Sequence, residues 1–329
     1  MKIAVVGCGA VGSYYGAMLS RAGQDVHLLL RSDFDVVRLN GLTIRSIKGD
    51  FHVQPQCARA PGEIGVCDVL LIGLKTTAND QFPQLLPPLV GPATAVITLQ
   101  NGLGNTERLA RLFAPEQILN GLCFVCLNRL EPGVIRHTDY GLIVLGEFQR
   151  PAGPRTQNLA ALFQSAGVTC KVTDNLAQAQ WEKLVWNIPF NGLGVAGSIG
   201  YEALINPSCH LSPATCHPEV LTTDRLLADP RWEKLLRELM LEVIRAARAL
   251  GHDIPDSVAD DRISRTRTMG AYKASTLLDF ERRQPLELEN MFLEPFRRAR
   301  AAGVSVPRLA RLCEVLRQLD PASDCGKAA

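Results

Sequence analysis

The sequence predicts an α/β protein with a mainly parallel sheet in its first half and an all-helical domain in its second. Three observations carry this. Up to residue 175, apolar runs of strand length alternate with amphipathic stretches, the pattern of parallel strands joined by helices. Beyond it, strand signals become sparse, and residues 177–194, 231–250, 257–280 and 287–302 show helical periodicity. At the head of the chain, Lys2-Ile3-Ala4-Val5-Val6 runs straight into Gly7-Cys8-Gly9-Ala10-Val11-Gly12. The expected division is residues 1–175 and residues 176–329.

Taken in order, residues 2–7 form the first strand, residues 11–22 an amphipathic helix that Gly23 stops, and residues 25–30 a second strand. A glycine loop in this setting is the signature of a dinucleotide-binding, Rossmann-type βαβ unit. Gly7 allows the tight turn, Gly9 lets a pyrophosphate approach the backbone, and Gly12 lets the helix pack on the strand. The helix N-terminus faces the phosphates. The second strand ends in Arg31-Ser32, where an NAD site usually carries an acid for the ribose 2′-hydroxyl. A planar, permanently charged guanidinium suits a 2′-phosphate, so the cofactor read here is NADP(H). The alternative is a surface arginine with Asp33 or Asp35 reaching the ribose.

Residues 43–47 and 51–53 read as a short hairpin around Lys48-Gly49-Asp50. Residues 68–74 are almost continuously apolar, as a strand buried on both faces should be. A helix-like stretch near 79–90, a strand at 94–99 and a helix at 104–113 follow. Residues 118–127, 133–137 and 142–146 read as strands, the last two joined by a short loop. A helix near 155–166 and a strand near 168–173 close the first half. Ligands of open α/β sheets sit at the carboxyl ends of the strands. Lys75 follows the 68–74 strand there, and Asn101 follows the 94–99 strand. Lys75 could meet cofactor or a substrate carboxylate, or be a solvated lysine; Asn101 could lie beside a nicotinamide, or be a turn residue before Gly102.

In the second half, Lys183, Asn187 and Asn191 are spaced i, i+4, i+8, which aligns them on one face of a helix. Such a stripe on an apolar helix suits a polar ligand in a cleft; the alternative is a solvent-facing stripe. Pro189 removes one helical hydrogen bond. Farther on, Ser275 suits a helix N-cap or a ligand, Asp279 an arginine partner, and Glu287 and Glu289 a helix N-terminus.

The composition describes an ordinary globular chain: 329 residues, 47% hydrophobic and 21% charged. A net charge of +2 gives no electrostatic case for nucleic acid or an anionic membrane. No run of about 18 apolar residues exists to span a bilayer, and the first strand begins at residue 2, where a signal peptide would lie. The ten cysteines are scattered, as expected of reduced thiols in a cytoplasmic protein. Strand alternation puts Cys123 and Cys126 on opposite faces. Cys209-His210 and Cys216-His217, within a proline-containing 198–220 segment, match no common zinc spacing, so no metal is expected. Residues 321–329 are expected to fray.

The whole chain resembles the ketopantoate reductase family. The matching stretches are GCGAVGSYYG at 7–16, LLLRS at 28–32, LKTTAND at 74–80, LQNGLGN at 99–105, EPGVIRH at 131–137, WEKLVWNIPFNGL at 181–193 and ASTLLDFERRQPLELE at 274–289. The resemblance implies an NADPH-dependent oxidoreductase that reduces a 2-oxo acid, ketopantoate, to pantoate on the way to pantothenate and coenzyme A. It makes Lys183 the general acid and Glu287 the active-site glutamate. It places Asn187, Asn191, Ser275 and Asn101 on the substrate, and Asn101, Lys75, Arg31 and the 7–12 loop on the cofactor. It is compatible with a homodimer. The other readings are a reductase of another 2-oxo acid and a non-catalytic NADP-binding sensor. Against the family pattern, 198–220 looks like an insertion.

Overall fold

In the computed structural model, which describes residues 1–206 and 220–323, the chain divides into two units, Met1–Leu176 and Ala177–Ala329. The first unit begins with β1 (Lys2–Val6), α1 (Ala10–Arg21), β2 (Asp25–Leu29) and α2 (Phe34–Asn40). It continues through β3 (Leu42–Ser46), β4 (Phe51–Val53), β5 (Gln56–Ala58), α3 (Pro61–Ile64) and β6 (Cys67–Ile72). Then come α4 (Phe82–Leu85), β7 (Val90–Thr98), α5 (Asn105–Leu109), β8 (Ile118–Glu131), β9 (Val134–Glu147), α6 (Pro154–Ser165) and β10 (Thr169–Thr173).

The strands form one sheet in the order β4-β3-β9-β8-β7-β6-β1-β2-β5, with β10 also on β9. β3–β4 and β8–β9 are antiparallel and the other pairings parallel. The central strands are apolar on both faces. Ile3, Val5, Val69, Leu71 and Ile97 enter one core, while Ala4, Val6, Leu70, Ile72 and Val96 enter the other. Helix α1 packs on β1 and β2 and also meets β3, β4, β8 and β9. The sheet therefore curls around this helix, whose Tyr14, Tyr15, Met18 and Leu19 fill the first core.

Several boundaries differ from expectation. The strands read at 133–137 and 142–146 are one strand, β9. Asp139-Tyr140-Gly141 looks like a turn, yet Tyr140 (φ 60°) and Gly141 (φ 117°) form an irregularity that the long partner β8 bridges. The outer edge of β9 then carries β3 on one half and β10 on the other. The helix read near 79–90 is three short pieces: a 3-10 turn at Thr76–Gln81, α4, and a 3-10 turn at Pro87–Leu89. Pro83, Pro87 and Pro88 lack the amide protons a continuous helix needs. Phe82, Leu86 and Leu89 are nonetheless buried, so the apolar spacing was sound.

The second unit contains α7 (Leu176–Ala196), α8 (Glu202–Ile205), α9 (Thr223–Ala228), α10 (Pro230–Ala249), α11 (Ser257–Thr266) and α12 (Ser275–Glu281), then α13 (Glu294–Ala301) and α14 (Pro307–Leu319). Its described residues include no strand. The 257–280 stretch is broken: a 3-10 turn at Arg267–Met269 ends α11, and α12 starts afresh. The segment before α13 is a π-helical turn, Glu289–Leu293. Helix α14 was not anticipated. It buries Leu309, Leu312, Cys313, Val315 and Leu316, and the α10 carboxylate of Glu242 accepts from Arg308 N and Leu309 N at 3.0 and 2.9 Å. Pro321–Ser323 forms a 3-10 turn, and the rest of the tail lies outside the described residues.

His137, on β9, is buried. Its Nδ1 accepts from Ser46 Oγ at 2.9 Å and faces Tyr14 OH at 3.4 Å, while Nε2 donates to the Asp139 and Tyr140 carbonyls at 3.0 and 3.2 Å. This partner set suits the neutral Nε2–H ring. Burial lowers its pKa, and Lys48 lowers it further against the pull of the carbonyls and Asp139. The unfolded chain, with an ordinary histidine near pH 6.5, then binds the proton more readily than the folded one. The contribution is full above that pH and is lost as the pH falls. Stability should decline on acidification from about pH 7 to pH 5. Denaturant unfolding of His137→Gln should show a lower starting stability and a shallower acid dependence; an unchanged slope would remove His137 as the cause.

Candidate active site

The carboxyl ends of β2, β1, β6 and β7 lie side by side. Arg31, the 7–12 loop, Lys75 and Asn101 follow these ends and occupy one edge of the first unit. The loop shows three different reasons for glycine. Gly7 has φ 93°, and a Cβ there would overlap Leu74 N and Gly73 C. A Cβ on Gly12 would overlap Gly7 O. On Gly9 it would meet no protein atom within 4 Å. Protein packing thus accounts for Gly7 and Gly12, whereas the open face at Gly9 leaves room for a diphosphate against the backbone. Gly9 is also the N-cap of α1 and supplies no side-chain cap, and the first turn, which includes Ala10 and Val11, has no acid to offset the helix dipole. The Cys8 thiol faces the carbonyls of Val5 and Leu29, both at 3.5 Å, and burial raises its pKa. It is a protonated packing group joining the ends of β1 and β2.

Arg31 is exposed and has no ion-pair partner among the described residues. The neighbouring acids are already engaged. Asp33 is buried, with Arg129 Nη2 at 2.7 Å and Ser32 Oγ at 2.9 Å, and Asp35 pairs with Arg59 at 2.6 Å. Neither carboxylate stands ready for a ribose hydroxyl, which favours the phosphate reading of Arg31. The residues present therefore fit an NADP-type cofactor.

Lys75 is exposed at the start of the Thr76–Gln81 turn, and Asn101 is half-buried. Between their loops runs a set of side-chain bonds that the sequence did not reveal. Thr98 Oγ1 donates to Gln100 Oε1 (3.0 Å), and Gln100 Nε2 donates to Asn79 Oδ1 (2.7 Å) and Leu74 O (3.0 Å). Asn79 Nδ2 donates to Asn105 Oδ1 (3.0 Å), and Asn105 Nδ2 to the carbonyl of Asn101 (2.9 Å). Asn79, Gln100 and Asn105 are all buried. The signal available was amide-rich composition inside the LKTTAND and LQNGLGN stretches, but nothing in it shows which amide meets which.

In the second unit Lys183, Asn187 and Asn191 lie on α7 and are 8%, 7% and 2% exposed. This excludes the solvent-facing stripe. Trp186 ties α7 to α11: its indole N–H donates to Thr266 Oγ1 at 2.8 Å, and its ring stacks on Phe190, one turn along α7, at 4.9 Å. Asn191 Nδ2 donates to Asn187 O at 2.9 Å, and its Oδ1 accepts from Ser275 Oγ (3.2 Å) and Thr276 N (3.0 Å). Ser275 is thus the first residue of α12 and not its N-cap, which is Ala274; Asn191 supplies the missing acceptor. Glu287 is buried two residues before the π-helical turn, a feature that often marks functional segments. Glu289 instead pairs with Arg297 at the surface.

Cys209-His210 and Cys216-His217 lie outside the described residues. Among the described residues no three His, Cys, Asp or Glu side chains gather to hold a metal, no cysteine is in a disulfide, and no helix is long and apolar enough to cross a membrane.

A glycine-loop βαβ edge with an arginine at the ribose position, joined in one chain to a helical unit, defines a nicotinamide-dinucleotide-binding protein. The family model described as Ketopantoate reductase PanE/ApbA matches residues 3–150, and its C-terminal counterpart matches residues 203–320. A 2-dehydropantoate 2-reductase of Nostoc sp. is 37% identical over 99% of this chain and 97% of its own length. A solved 2-dehydropantoate 2-reductase from Geobacter metallireducens is 44% identical, covers 97% of this chain and 99% of its own, and superposes with a TM-score of 0.87. Another from Methylococcus capsulatus is 31% identical over 97% and 96%, with a TM-score of 0.83. The chain belongs to the ketopantoate reductase family.

Proposed function

We propose that this protein reduces 2-dehydropantoate (ketopantoate) to pantoate with NADPH, a step towards pantothenate and coenzyme A. The observation that carries the reading is the buried Lys183, Asn187 and Asn191 stripe on α7, in a chain similar along nearly its whole length to 2-dehydropantoate 2-reductases. A stripe of polar side chains along one face of an otherwise apolar helix suits a polar ligand. Residues 1–175 serve as the NADP-binding domain, and residues 176–329 as the substrate-binding and dimerisation domain. A homodimer is compatible with the family resemblance, and the cytoplasmic setting rests on the scattered cysteines, read as reduced thiols.

When bound, NADPH supplies the hydride. The 7–12 loop and the α1 N-terminus take the diphosphate, Arg31 the 2′-phosphate, and Lys75 the cofactor edge. Asn101 orients nicotinamide and substrate. As the ketone carbon is reduced, negative charge gathers on its oxygen; the Lys183 ammonium stabilises that charge and then protonates it. Asn187 and Ser275 bind the substrate's polar groups, and Glu287 holds Lys183 or a substrate hydroxyl in place. Asn191 is assigned to the same substrate site, and it also has a clear local task in fixing Ser275 to α7.

The test is reduced-nicotinamide oxidation with ketopantoate, with NADH in parallel and a panel of other 2-oxo acids. Turnover strongest with ketopantoate and NADPH is expected. Stronger turnover with another 2-oxo acid would replace the substrate and keep the reaction class. NADPH binding without oxidation by any of them would leave a sensor.

A further inference from the structure

Resting on the reductase reading above, we infer that Asn79, Gln100 and Asn105 are positioning residues for hydride transfer, forming a buried amide relay that locks the Lys75 loop to the Asn101 loop. None of the three reaches outward; each spends its side chain on protein atoms. The bonds run in one direction. Gln100 clamps the carbonyl of Leu74, the residue before Lys75, and hands on to Asn79. Asn79 belongs to the 3-10 turn that Lys75 begins, where Ala78 N also donates to Lys75 O at 2.9 Å. Asn79 donates to Asn105, and Asn105 donates to the carbonyl of Asn101. Thr98, the last residue of β7, anchors the other end through Gln100.

The chemistry explains why amides occupy these positions. An amide is the smallest side chain that accepts at one end and donates at the other. A series of them transmits a fixed geometry across a buried gap and ends on a backbone carbonyl. Both loops follow parallel strands, where Leu99 N donates to Ile72 O and Gly73 N to Val6 O. The relay takes over where the sheet stops. A nicotinamide neighbour displaced by about 1 Å can cost about 100-fold in rate, so a device that fixes Asn101 against the cofactor edge has a kinetic consequence beyond stability.

Two substitutions at Asn105 separate positioning from folding. Asn105→Leu removes the whole connection. Asn105→Asp keeps the acceptor for Asn79 but, once ionised, cannot donate to Asn101 O. Protonated, it can. Burial raises the carboxyl pKa towards the working range. For Asn105→Asp, kcat relative to wild type should therefore be lower by about tenfold or more at alkaline pH and recover on acidification, while KM for NADPH moves less than about threefold. Asn105→Leu should be low throughout and show no such recovery. A ratio flat with pH in Asn105→Asp, or kcat within about twofold of wild type in both variants, overturns the relay. Wild-type enzyme that turns over no 2-oxo acid overturns the reductase reading instead. In that event the fluorescence of bound NADPH decides the relay: saturating cofactor should give a weaker nicotinamide signal in Asn105→Leu than in wild type, and equal signals would overturn it.

Discussion

Lys183→Ala should lower kcat by about 1,000-fold, within the range a positioned general acid contributes once its share of oxyanion stabilisation is included. NADPH affinity should hardly change, because the groups assigned to the cofactor lie on the first unit. Lys183 is buried on α7, with Asn187 one turn and Asn191 two turns farther along the same face. A lysine in that position has two tasks, to attract the developing alkoxide and to release a proton to it. Arginine can perform the first but scarcely the second, since its guanidinium does not give up a proton in proteins. Lys183→Arg should accordingly bind the 2-oxo acid and turn over poorly. Steady-state kinetics with a parallel NADPH titration check both variants. Near-normal turnover by Lys183→Ala would transfer the proton to another donor.

Arg31→Ala should weaken NADPH binding by about 100-fold and leave NADH nearly untouched. Charge-assisted bonds to a phosphate are worth roughly 1.5–3 kcal/mol each, so two of them amount to that factor or more. The local acids determine the second half of the prediction. Asp33 is held by Arg129 and Ser32, and Asp35 by Arg59, so removing Arg31 exposes no carboxylate to the ribose hydroxyls of NADH. The variant should lose NADPH preference without gaining NADH affinity. Titration with both cofactors tests this. Unchanged NADPH affinity would mean that Arg31 is a solvated surface residue, and a gain in NADH affinity would release Asp33 or Asp35 as a ribose ligand.

Features set by neighbours in the chain were legible. The 7–12 loop, β1, α1, β2 and the Lys183–Asn187–Asn191 alignment depend on steric limits and on helical or strand periodicity within a short stretch. Features set by distant partners were not. Asp139-Tyr140-Gly141 reads as a turn because only β8 shows that hydrogen bonding passes across it. Asn79 is 26 residues from Asn105 and 21 from Gln100, separations over which an amide's partner leaves no pattern. Asn191 shared a face with Lys183 by spacing, but its grip on Ser275, 84 residues away, came from the packing of α7 on α12. Ser275 as N-cap failed for the same reason, since the acceptor arrives from another helix.

By itself, the sequence determined the class of each half, the strand–glycine–helix cofactor edge, the arginine at the ribose position and the polar stripe on α7. These are consequences of side-chain size, charge and period along one segment. The tertiary structure decided that the stripe is buried, that Asp33 and Asp35 are already engaged, that Gly9 alone in its loop faces open space, and that three amides join the Lys75 and Asn101 loops. Burial and hydrogen-bond partnership belong to pairs of residues brought together by folding, and a linear pattern does not encode which pair meets.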